Sequence, residues 1–147
     1  MTMKEVQERL VENMKRWQRI ENATVSATAR AMEQTDNPLL RAVMEVIQHD
    51  ANNHHRIQQL IIDSLESEAI HLSVEDLGAL GDALERHAQI ERDSVTLAKE
   101  SLEALGPSHM VAQKYLLTYL LEDEQKHERM LADLGVIKRG MYPYGGF

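Results

Sequence analysis

The sequence predicts an all-α protein, an antiparallel four-helix bundle, from three observations. Apolar residues recur at alternating steps of three and four along four long stretches, the spacing that keeps them on one helical face. Capping and helix-breaking residues fall between those stretches and at the chain start. With one Phe, one Trp, three Pro and no alternating β-branched run, nothing competes as a strand.

The elements follow in order. Thr2 with Glu5 is a capping-box pattern that starts the first helix, whose stripe reads Leu10, Met14, Trp17, Glu21, Thr24, Thr28, Ala31. Asp36-Asn37-Pro38 ends it and opens the second, with Leu40, Val43, Ile47, Asp50, His54, Ile57, Ile61. Ser73 with Asp76 repeats the box ahead of Leu77, Leu80, Leu84, His87, Glu91, Ser94, Ala98, Ser101, Leu105. Gly106-Pro107 separates this from Met110, Leu117, Leu120, Glu124, His127, Leu131, Leu134, and Gly135 supplies the last stop. Residues 1–135 are thus expected to form one bundle domain, and 136–147 a non-helical C-terminal tail that docks on the bundle or on a second subunit.

A chain of 147 residues is long enough to bury a core. With 24 acidic and 16 basic residues its net charge is −8, which argues against nucleic acid or an anionic membrane surface as partner. Cysteine is absent, so there is no disulfide framework, thiolate nucleophile or four-cysteine metal centre. The N-terminus lacks a signal-peptide apolar region and the longest apolar run, Tyr115 to Leu121, is too short to span a bilayer. A cytoplasmic, soluble protein is expected.

Each stripe is interrupted near its middle by carboxylate or imidazole groups. Glu21 lies 15 residues before Asp36, while Asp50 and His54 lie 13 and 17 after Asn37. Glu91 lies 15 before Gly106 and Glu124 lies 17 after Pro107. At 1.5 Å per residue both hairpins place these groups about 20 to 25 Å from their turns. Ionised carboxylates in a dry core cost several kcal/mol each unless paired. Four acids (Glu21, Asp50, Glu91, Glu124) and three histidines (His54, His87, His127) at one level therefore point to a central site holding a metal pair.

These residues resemble the ferritin-like di-iron carboxylate proteins, and among them the rubrerythrin-like members. That family places one Glu on each of two helices and Glu-x-x-His on each of the other two. Here Glu124-Gln125-Lys126-His127 is a complete Glu-x-x-His, and Glu21 and Glu91 take the single-glutamate positions. The second helix departs, offering Asp50 with His54 at a spacing of four, and His87 is added four residues before Glu91. The resemblance implies two iron ions, with manganese or zinc also accepted by such a ligand set. It further implies oxidation of ferrous iron or reduction of peroxide or dioxygen. Without cysteine for a rubredoxin-like module, electrons come from ferrous iron or an external donor.

Other readings compete. A lone Glu-x-x-His is common on exposed helices, and a core acid often pairs with Arg or Lys; Arg16, Arg19, Arg86, Arg92 and Lys126 are near in sequence but off the stripes. His49, His55, His71 and His109 are expected at the surface, and Glu122, Asp123 and Glu128 on a solvated face, with support of the adjacent metal ligands as their secondary reading. A hemerythrin-like sensor would explain His87-x-x-x-Glu91, and a structural or partner-binding bundle would use its polar layer to set register. Only a few residues separate Glu66 from Ser73, whereas crossing a bundle of roughly 45 Å takes about 13 extended residues. Either the helices end earlier, or the chain runs up-down-up-down, or it exchanges helices between two subunits, and a homodimer is expected.

Overall fold

The computed structural model describes residues 1–141, and in these the chain is all helical: α1 (Met3–Glu33), α2 (Pro38–Glu66), α3 (Val74–Leu105) and α4 (Val111–Met141). They divide into two compact units, Met1–Ile70 and His71–Phe147, each a helical hairpin. None of the described helices is long and apolar enough to cross a membrane.

In the first unit the helix starts are chemically complete. Thr2 Oγ1 accepts from the Glu5 N–H at 3.2 Å while Glu5 Oε2 accepts from the Thr2 N–H at 2.6 Å, closing the capping box. Asn37 Oδ1 accepts from the N–H groups of Leu39 and Leu40, and Pro38 occupies the first helical turn, where its missing N–H costs nothing. Arg41 donates to the carbonyls of Met32 and Thr35, satisfying the C-terminal end of α1. Asn37→Ala removes the acceptor for two orphan donors and should cost about 1 kcal/mol, read as a lower urea midpoint at unchanged slope.

Cross-helix contacts fix an antiparallel pairing. Gln48 donates to the Val25 carbonyl, Gln58 to Glu21, and Gln18 to Gln59 Oε1 and the His55 carbonyl. The seam is polar on α1, where Gln18, Glu21 and Thr28 are buried, and mixed on α2, where Gln58 is buried with the apolar Ala51 and Ile62. The apolar stripe expected on α2 is not this seam. Ala51, Gln58 and Ile62 each follow a stripe residue by one position, a rotation of roughly 100° about the helix axis. Leu40, Ile47, Ile57 and, on α1, Leu10 and Trp17 are correspondingly exposed.

In the second unit Ser73 and Asp76 form the expected reciprocal cap, and the Ser73 backbone and hydroxyl donors hold the Asp76 carboxyl below its ordinary range. Glu91, Val95 and Ala98 are buried on α3. Gly106 ends α3 at φ 51°, a left-handed conformation that an added Cβ would strain. The expected stop at Gly135 does not occur, because α4 continues to Met141 and residues 136–141 are helical. Glycine ends a helix only by turning left-handed, and Gly106 is the one described glycine with positive φ. Inside a helix a glycine merely costs about 1 kcal/mol. The rest of the expected tail lies outside the described residues.

Candidate metal centre

The three-residue step from Glu124 to His127 puts both side chains on one face of α4, and Glu91 meets them from α3. Each of the three offers a donor atom within 4.8 Å of the others'. His127 Nδ1 lies 3.5 Å from Glu91 Oε2 and 3.9 Å from Glu124 Oε2. Its other nitrogen, Nε2, is 3.4 Å from Asp123 Oδ2, and Asp123 is itself paired with Lys126 at 2.7 Å. A proton on Nε2 facing Asp123 leaves the Nδ1 lone pair aimed at the two glutamates, the arrangement by which a carboxylate orients a metal-binding imidazole. His87 Nε2 stands 2.9 Å from Glu91 Oε1, across the i, i+4 step on α3. An open cleft of about 620 Å³ lies over the group, lined among others by His87, Glu91, Ser94, Glu124, His127 and Met130.

The electrostatics of the pair are opposed. A hydrogen bond shared with Glu91 pushes Glu124 above the ordinary glutamate range, with burial and the Glu91 charge adding to the rise. The same bond holds Glu91 below that range, more than offsetting its own burial, with His127 and His87 contributing. Of the two acids, Glu124 is therefore the one that holds a proton more readily and Glu91 the one that ionises more readily. Glu91 Oε2 is buried and has no ordinary donor. Such an atom calls for a positive partner, either that proton or a cation.

The first hairpin holds a smaller group. Glu21, whose side chain is 8 % exposed, has His54 Nδ1 at 3.4 Å from Oε1, and Gln58 Nε2 donates to the same oxygen at 3.3 Å. Asp50 is exposed on α2 and lies outside this group. Of the seven residues singled out in the sequence, the structure therefore gathers Glu91, Glu124, His127 and His87 in one unit and Glu21 with His54 in the other. The nitrogen groups beside Glu91 are the imidazoles of His87 and His127, and those beside Glu21 are the His54 imidazole and the Gln58 amide. His49, His71 and His109 are exposed as expected, while His55 is half-buried.

Asp123, Gln18 and Gln58 escaped the stripe pattern. A signal for Asp123 was present: Asp50-x-x-x-His54 on α2 and Asp123-x-x-x-His127 on α4 repeat one spacing, each on the second helix of a hairpin whose first helix carries a buried glutamate. The glutamines carried none, since they lie off the apolar stripe and only the seam buries them. Compared with family models, curated proteins and solved structures, the chain matches none.

Proposed function

We propose that this chain is a non-haem metal protein of the carboxylate type, binding two first-row metal ions, iron foremost, and oxidising ferrous iron or reducing peroxide or dioxygen. A ferritin-like four-helix bundle is the architecture this proposal adopts. The observation that carries it is the buried, donor-less Glu91 Oε2 facing His127 Nδ1, with Glu124 alongside. Carboxylate oxygen and imidazole nitrogen together suit iron, manganese or zinc.

Glu91, Glu124 and His127 would hold one ion, and Glu21 and His54 would contribute to a second. Bound iron would supply a one-electron redox couple at the group. The chain's own residues do the rest. Glu91 and Glu124 neutralise the cation's charge; Asp123 keeps the imidazole tautomer that frees Nδ1; His87 restrains Glu91 through Oε1. The open cleft admits a small oxidant such as dioxygen or peroxide. Because the chain has no cysteine, the electrons come from ferrous iron or an external donor.

The test is elemental. Protein loaded anaerobically with ferrous iron and then desalted should retain about two ions per chain, and exposure to air should produce ferric absorption in the near ultraviolet. Folded protein that retains no iron, manganese or zinc would sink the proposal in favour of a structural polar layer.

A further inference from the structure

The buried glutamate of the first hairpin has a partner with no counterpart in the second. Gln58 is 3 % exposed and donates its Nε2–H to Glu21 Oε1, yet its own Oε1, equally buried, has no hydrogen-bond partner. A buried amide with an orphaned carbonyl is held in that orientation by what its other end does. Turned by half a revolution, it would set oxygen against the Glu21 carboxylate, lone pair against lone pair. The carboxylate therefore fixes the amide, and the amide in return fixes the carboxylate. His54 Nδ1 also approaches Oε1, so both neighbours fall on the same carboxylate oxygen. In the second hairpin the residue one turn after the histidine is the apolar Leu131, and Glu91 is restrained by the His87 imidazole instead.

We propose that Gln58 is a positioning residue for Glu21: its amide N–H holds Oε1, presents Oε2 to a divalent first-row metal ion, and so sets affinity at the first hairpin's position alone. This rests on the metal-binding proposal above. A merely structural Gln58, there to fill the seam or set hairpin register, would affect stability and leave metal affinity unchanged.

The experiment titrates full-length protein with Mn²⁺ by calorimetry, with stoichiometry checked by elemental analysis and helicity by circular dichroism. Gln58→Met keeps length and bulk but has no N–H, and should weaken one of two Mn²⁺ sites on the order of tenfold, as loss of an outer hydrogen-bond partner does. Gln58→Asn, which retracts the donor by one methylene, should weaken the same site by less, and it keeps the test open if the methionine variant folds poorly. Glu21→Gln should lose that site, and adding Gln58→Met to it should change nothing further. Unaltered affinities in Gln58→Met with only a lowered Tm, or equal weakening at both sites, would overturn the assignment. Wild-type protein that binds no Mn²⁺ would instead remove the metal proposal itself, and this inference with it.

Discussion

Glu124→Gln should separate stability from metal binding, raising the one and destroying the other. The glutamine imitates the protonated carboxyl, donating an amide N–H to Glu91 without needing a proton. As pH climbs above the ordinary glutamate value, folded wild-type protein keeps a proton on Glu124 that the unfolded chain has released. The folded state then binds more protons than the unfolded one, so the Glu124 contribution to stability falls with rising pH until Glu124 ionises. Glu91, shifted the other way, gives its stabilisation above the ordinary value and loses it only in more acid solution. The metal-free variant should therefore match wild type near pH 4 and exceed it at neutral pH by about 1 kcal/mol, the net worth of one hydrogen bond. Metal affinity at the α3–α4 group should drop on the order of a hundredfold or more, since an inner ligand matters at least as much as its outer partners. Urea melts at two pH values and a Mn²⁺ titration measure both. A variant destabilised at neutral pH would mean that Glu124 is not the acid that holds a proton more readily.

Metal should raise the Tm of the wild-type protein, and raise it more at higher pH. A ligand that prefers the native state at a hundredfold excess over its Kd stabilises by about 2.7 kcal/mol, which is several degrees or more in a chain of this size. The pH trend follows from competition: a cation at Glu91 and Glu124 competes with protonation of Glu124, so binding strengthens as pH rises from the ordinary glutamate value through the raised value of Glu124. Differential scanning calorimetry with and without Mn²⁺ at two pH values reads this directly. A Tm indifferent to metal would favour the structural-layer alternative.

What could be read from the sequence divides by the range of the forces involved. Thr2, Asn37, Ser73 and Gly106 were legible because caps are satisfied within a few residues of themselves. Glu91, Glu124 and His127 were legible because a three-residue step fixes a helix face and counting from Gly106 fixes depth. Gly135 misled because a glycine permits a helix end without imposing one. The seam of the first hairpin was hidden for another reason: an apolar stripe marks what a helix gains by covering, not which neighbour covers it. Gln18 and Gln58 are buried, with Ala51 and Ile62, where α1 and α2 face each other, while Ile47 and Ile57 stay exposed. Asp50, on the stripe, is exposed with them.

The pairing of α1 with α2 and of α3 with α4 joins neighbours in sequence through short turns at residues 34–37 and 106–110. Closing a loop of that length is a matter of nanoseconds, and helical hairpins dominated by local contacts form in microseconds to milliseconds. Glu91, Glu124 and His127 belong to one such pair, so their group depends only on α3 meeting α4 and does not wait for any contact made by the first hairpin.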